Sequence, residues 1–202
     1  MQTGKLIVLE GIDGCGKSTQ IARLTKALDA MGRTVHQTAE PTGGEWGQSL
    51  RRFLSGAEQR TNAELATLFV LDRIQHNVEI QALLDRGTDV ICDRYYYSTL
   101  AYQGSVCDYG WVKHMNCSSP DIRHPDLCIF LDLTPEASLA RIRARGEARE
   151  VFETKETLTR VRNTFLRIFD DLKDRVAVVD AQGTPDEVAE RVLAAVLPIL
   201  NT

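Results

Sequence analysis

Between Lys5 and Thr19 the chain reads K-L-I-V-L-E-G-I-D-G-C-G-K-S-T, and no other stretch restricts its possible folds so sharply. A short apolar run, Leu6 to Leu9, is followed at once by Gly11, Gly14, Gly16, Lys17 and Ser18. This satisfies G-x-x-x-x-G-K-[ST] where a strand gives way to a helix, the context that makes the motif a phosphate-binding loop. The glycines let the backbone turn with its N–H groups pointing inward, and the helix opening at Lys17 adds the positive end of its dipole. A polyphosphate is then held chiefly by main-chain donors. Lys17 is placed to reach the β- and γ-phosphates and Ser18 to hold Mg²⁺. With average glycine usage, chance alone produces such a match in on the order of one chain in a hundred of this length.

Downstream, Ile21, Leu24, Leu28 and Met31 recur at helical spacing up to Gly32. A second strand is predicted at Thr34–Thr38, leading into the turn-rich Glu40-Pro41-Thr42-Gly43-Gly44, and strand C-termini are where open α/β sheets bind ligands. Helices follow over Trp46–Leu54 and Thr61–Arg86, and Asp89–Asp93 forms a third strand. Its terminal acid, Asp93, suits a supporting role for Mg²⁺ beside a phosphate loop; an ordinary strand-terminal turn is the plainer alternative. Two short helices, Tyr97–Gln103 and Tyr109–Asn116, precede a fourth strand at Leu127–Leu133, and Pro135 begins the next helix. That helix runs into a basic stretch, Arg141 to Glu150, which is either a solvated face or a functional lid. Leu158, Val161, Phe165, Ile168, Phe169 and Leu172 trace another helix, Val176–Val179 a fifth strand, and Glu187–Leu197 a closing helix. Strands separated by helices throughout imply an α/β fold, a mainly parallel sheet covered on both faces.

With 202 residues and neither repeat nor linker, one compact domain is expected. A net charge of −4 gives no global field for nucleic acid, so any basic function is local. The run Val192–Leu200 contains Pro198 and is too short to span a bilayer, and the N-terminal run lacks the length and flanks of a signal peptide. A cytoplasmic protein with no membrane partner is the expectation. Cys15, Cys92, Cys107, Cys117 and Cys128 form no C-x-x-C pair and are read as reduced thiols without a metal. Cys15, at a helix N-terminus among main-chain donors, is expected to be the most reactive of them.

Taken together, E-G-I-D-G-C-G-K-S-T-Q at Glu10–Gln20, E-P-T-G-G at Glu40–Gly44, L-F-V-L-D-R at Leu68–Arg73, D-R-Y-Y-Y-S-T-L-A-Y-Q-G at Asp93–Gly104 and P-D-L-C-I-F-L-D-L at Pro125–Leu133 resemble the thymidylate kinase family. These are P-loop nucleoside monophosphate kinases. The first motif alone says only phosphate loop; the block around Asp93–Gly104 is far more selective. The resemblance implies a three-layer fold with a five-stranded parallel sheet ordered 2-3-1-4-5, transfer of the γ-phosphoryl of ATP to dTMP with Mg²⁺, and a homodimer formed through helices flanking the monophosphate site. The domain would span residues 1–202, with a lid at about 141–152.

By position, the resemblance assigns ATP to Gly11, Gly14, Cys15, Gly16, Lys17, Ser18 and Thr19, with Ser18 and Asp93 serving the metal. It assigns dTMP to Asp13, Arg51, Phe69, Arg73, Arg94, Ser98, Thr99, Tyr102 and Gln103. Phe69 would stack on thymine while Arg73 bonds its O4. Four residues apart on a helix, both lie on one face, and a guanidinium, which only donates, suits the O4 acceptor and opposes the amino group of cytosine. Arg51 and Arg94 would grip the acceptor phosphate, Asp13 would approach the sugar 3′-hydroxyl, and Tyr102 would crowd the 2′ position.

Three departures from the family pattern stand out. Ala39 replaces the arginine that often precedes the E-P turn, the phosphate loop holds no basic residue besides Lys17, and the lid reads R-G-E-A-R-E-V-F-E, one residue out of step. The extra catalytic arginine is therefore assigned to Arg149, with Arg145 in reserve, alongside Lys17 and Arg94. Two rival readings remain at this stage. One is another small P-loop nucleoside monophosphate kinase; the other is a non-catalytic nucleotide-dependent switch, against which the absence of N-K-x-D counts.

Overall fold

A computed structural model describes residues 3–145 and 154–200, with the Arg145 side chain excepted. Its first strand, β1 (Leu6–Glu10), is buried at every position. Parallel strands lie on both sides of it, β3 (Asp89–Asp93) and β4 (Leu127–Asp132). Such continuous apolar runs are what a parallel sheet covered on both faces requires. β2 (Val35–Ala39) and β5 (Val176–Asp180) are the less buried edges, and the order is β2-β3-β1-β4-β5. The expected topology is therefore the observed one.

Eight helices occur among the described residues. α1 (Lys17–Ala30) and α8 (Pro185–Leu200) pack on each other and on the strands. α2 (Glu45–Leu54) lies on α3 (Asn62–Asp85), while α4 (Tyr96–Tyr102) contacts α3, α5 (Tyr109–Cys117) and α7 (Lys155–Asp171). α6 (Pro135–Arg145) packs on α7. Leu158, Val161, Phe165 and Ile168 of α7 are buried, and Phe165 and Phe169 pack against Phe130 of β4.

Differences from the sequence expectation are local. Met31 lies beyond the last turn of α1 and is 49% exposed, so the apolar stripe of that helix ends at Leu28. β2 sits one residue later than expected. α8 continues through Pro198 to Leu200, because burial of Ile199 and Leu200 holds the last turn in place despite the lost N–H. Among the described residues no helix is long and apolar enough to cross a membrane.

Candidate active site

The C-terminal ends of β1 and β3 open onto two cavities. The larger, about 590 Å³, is lined by Gly14 to Thr19, with Asp93 and Arg94 opposite and Arg141, Gly183, Pro185 and Val188 at its far side. At its floor, α1 begins after Gly16, with no side chain capping its first N–H groups. α3, α5 and α7 are capped by Thr61, Asp108 and Thr154. The uncapped donors of α1 face the cleft through the exposed Ser18 and Thr19, ready for an anion. Lys17 is buried and donates to the Gly11 carbonyl at 3.2 Å. Gly11 must lack a side chain: at its φ of 147° a Cβ would stand 2.7 Å from Cys15 Sγ and 2.8 Å from the Leu131 carbonyl oxygen.

That packing corrects one expectation. The Cys15 thiol is tucked under Gly11, only 2% exposed, and burial pushes its pKa up despite the nearby Lys17 and Arg94 charges. Desolvation outweighs the helix N-terminus, so Cys15 is a packing residue and not a reactive thiolate.

The smaller cavity, about 70 Å³, lies between α3 and α4 and is lined by Phe69, Arg73, Ser98, Thr99, Tyr102 and Gln103, together with Asp13 and Arg94. Sequence reasoning placed all eight in one pocket, and the structure brings them together. It adds Glu40, Pro41, Leu54 and Tyr95. The first two lie in the turn after β2, where a ligand loop was expected, but Leu54 carried no signal because its neighbours come from distant segments. In the larger cavity Arg141, Gly183 in the turn after β5, and Pro185 and Val188 at the start of α8 were also missed as site residues. The turn follows β5, and the same rule about strand ends identifies it.

Arg73 is a large charged side chain yet only 1% exposed, and Tyr95 lies beneath its guanidinium at 5.2 Å. Its Nε and Nη2 donate to Glu40 Oε2 at 2.8 and 2.6 Å, Nη2 donates to Thr99 Oγ1 at 3.2 Å, and Nη1 donates to Asn116 Oδ1. Among the described residues one N–H of its five is left for a ligand. His76 takes the other Glu40 oxygen at 3.0 Å, and Asp72 accepts from the Thr42 N–H at 2.8 Å. One face of α3 thus fastens the whole Glu40–Gly44 turn. Arg51 does not line the small cavity; it is exposed and donates to the Pro41 carbonyl at 2.5 Å, bordering a separate cavity near Ala39.

Among the described residues only Asp13 and Arg94 line both cavities. They form an ion pair, and Arg94 also donates to Ser98 Oγ at 3.1 Å and lies over the Tyr102 ring. Burial works against the charge of Arg94, yet Asp13, Tyr102 and Asp93 together hold its pKa well above the usual value. A permanent, forked cation therefore stands where the two cavities meet.

The donor set for a divalent cation is also present. Asp93 Oδ1 is enclosed without a hydrogen-bond partner among the described residues, in the same cleft wall as the exposed Ser18. Carboxylate and hydroxyl oxygens beside a phosphate cradle fit Mg²⁺. Arg149 and the side chain of Arg145 lie outside the described residues.

A family model described as Thymidylate kinase matches residues 9–192. A thymidylate kinase of Xanthomonas euvesicatoria pv. vesicatoria is 42% identical over 200 residues, covering 98% of this chain and 85% of the relative. A probable thymidylate kinase of Pyrococcus abyssi is 37% identical over 201 residues, 96% of each chain. Among solved structures, a thymidylate kinase from Candida albicans, described as having broad substrate specificity, superposes with a TM-score of 0.84 at 26% identity, over 98% of this chain and 93% of that one.

Proposed function

The chain belongs to the thymidylate kinase family, whose members phosphorylate dTMP, and from that premise we propose how these residues transfer the γ-phosphoryl of ATP. The observation that carries the reading is the meeting of a phosphate-loop cleft and a narrow aromatic-walled cavity at Arg94 and Asp13. ATP lies along Gly11–Thr19 with its base toward Arg141, Gly183 and Pro185. The nucleoside of dTMP enters the smaller cavity between Phe69 and the Arg73 edge, its sugar against Tyr102 and Asp13, and Gln103 beside it.

An acceptor phosphate is already an anionic nucleophile, so no covalent enzyme intermediate is needed. The protein aligns two polyanions that repel each other and supplies cations where charge spreads in the transition state. Lys17 contributes from the donor side, Arg94 bridges donor and acceptor, and the arginine-rich lid segment, through Arg149 or Arg145, completes the set. Ser18, with Asp93 behind it, would hold Mg²⁺, which would supply charge neutralisation for the phosphates of ATP. We place the reaction in the cytoplasm. We also infer a homodimer: Leu71 and Val78, seven residues apart on α3, are exposed apolar side chains on the helix that carries Phe69 and Arg73. Sedimentation at micromolar concentration tests it, and a monomer there removes the dimer.

A coupled ADP-release assay across dTMP, dUMP, dCMP, AMP and GMP tests the reading as a whole. Turnover should be highest with dTMP and vanish on chelation of Mg²⁺. Slow ATP hydrolysis with no transfer to any monophosphate would instead make the protein a nucleotide-dependent switch.

A further inference from the structure

Glu10 is the last residue of β1 and the one before the phosphate loop, and it is fully buried. Its Oε1 accepts from the Tyr95 N–H at 2.8 Å and the Ser98 N–H at 3.1 Å, while Oε2 accepts from the Ser98 hydroxyl at 2.7 Å. α4 has no side-chain cap of its own. Its first donors are therefore satisfied by a carboxylate from the central strand.

Two residues before that helix stands Arg94, whose φ of 67° is the only positive one at a non-glycine position among the described residues. An L-residue adopts this backbone only where its surroundings impose it. Three contacts do so here: the Arg94 N–H donates to the Leu9 carbonyl at 3.0 Å, the Cys92 thiol donates to the Arg94 carbonyl at 3.0 Å, and Glu10 holds the next N–H. The side chain is reached too. A hydroxyl has one hydrogen, and that of Ser98 is given to Glu10, so its lone pairs face Arg94 Nη1.

We propose that Glu10 is a positioning residue for phosphoryl transfer, fixing the backbone of Arg94 through the start of α4 and its guanidinium through the Ser98 hydroxyl. The proposal rests on the reading of Arg94 as the cation shared by donor and acceptor. It differs from a simple helix cap in one respect. A cap lowers stability when lost, whereas a positioning residue loses its kinetic effect once Arg94 is gone.

Glu10→Gln keeps the size of the side chain but offers one acceptor oxygen and one NH₂ group. If the oxygen keeps the two main-chain donors, the NH₂ meets Ser98 Oγ as a second donor, and the hydroxyl hydrogen is displaced toward Arg94. Steady-state kinetics on the parent, Glu10→Gln, Arg94→Ala and the double variant decide the matter. Glu10→Gln should lower kcat by about ten- to a hundredfold, the worth of a charge-assisted hydrogen bond, with the KM for ATP unchanged. In the Arg94→Ala background it should change kcat by less than about twofold, since residues acting as one unit are not additive. Equal factors in the two backgrounds overturn the proposal. An Arg94→Ala variant with parental kcat overturns the assignment of Arg94 itself, and this proposal with it. If Glu10→Gln does not fold, Ser98→Ala removes the side-chain relay while leaving the main-chain contacts of Glu10, and the same loss of effect without Arg94 is expected; no fall in kcat overturns it.

Discussion

The guanidinium of Arg73 and the carboxylate of Glu40 form a chelated ion pair, Nε and Nη2 on one oxygen, with both side chains out of solvent. Removing one partner of such a pair leaves an uncompensated buried charge. Arg73→Ala is therefore expected to lose about 3–5 kcal/mol of stability, beyond any loss of dTMP affinity. A double replacement, Arg73→Met with Glu40→Leu, should recover part of that loss. Urea melts of Arg73→Met, Glu40→Leu and the double variant check this, and strict additivity would mean that the pair is not coupled.

How much of this was legible beforehand follows from distance along the chain. The phosphate loop and the strand and helix periods are local patterns, so the alternation of strands and helices could be read directly, whereas the strand order and the set of residues around the smaller cavity came from the family resemblance that the motifs carry. The commitment of Arg73 could not, because Glu40 and Asn116 lie 33 and 43 positions away. The same holds for Arg51, whose helix position fits a phosphate contact but whose donors close on the turn carbonyls of Pro41 and Thr42. Cys15 failed for a physical reason: a helix N-terminus lowers a thiol pKa only where the charged form is not stripped of water.

Cysteine reactivity follows from burial. Cys15, Cys92 and Cys128 are buried, while Cys107 and Cys117 are partly exposed and the Cys117 thiol is pushed up to about 11. Cys107 should alkylate first and Cys15 among the slowest, with or without ATP. Mass-spectrometric labelling that finds Cys15 fastest would restore the reactive-thiolate reading.

Among the described residues the Lys17 ammonium donates to the Gly11 carbonyl, and the proposed dTMP cavity lies beyond Arg94. Lys17→Ala should abolish transfer and leave the Kd for dTMP within about twofold, because each group serves one substrate. Calorimetry separates the two effects; near-normal turnover would remove the phosphate-loop mechanism.

Ala144 lines the same cavity as the phosphate-loop motif, so α6 ends beside the proposed ATP site, whereas Arg143 is exposed and Arg141 donates to the carbonyls of Cys15 and Ala181. If Lys17 and Arg94 are the cations as proposed, a third is expected from the lid segment. Arg149→Ala is expected to lower kcat by roughly 10³-fold, on the scale of arginine fingers, with little change in either Kd, and Arg143→Ala should do less. If Arg145→Ala loses activity while Arg149→Ala does not, the register shifts by four residues; if neither matters, the lid contributes no catalytic cation.

Glu10 links this chemistry to pH. Burial pushes its carboxyl up to about 7, against the pull of Arg94, Ser98, Tyr95 and Lys17. A folded-state value above the ordinary 4.5 means that the native protein binds a proton the unfolded chain gives up. The associated stability is then complete below about pH 4.5 and is lost as pH rises toward 7. At about 1.4 kcal/mol per pH unit the difference is of order 3 kcal/mol. Surface carboxylates, the half-buried Glu58 and the exposed Glu64 and Asp171, are lowered by their own partners and titrate in the opposite sense. Comparison with Glu10→Gln cancels that background: from pH 8 to pH 4.5 the parent should gain stability relative to the variant by an amount of that order. At the same time its kcat should fall below pH 7 with a limb that the variant lacks. A stability gap that does not move with pH would place the Glu10 proton elsewhere, because a charge held for the sake of Arg94 must cost the fold something at neutral pH.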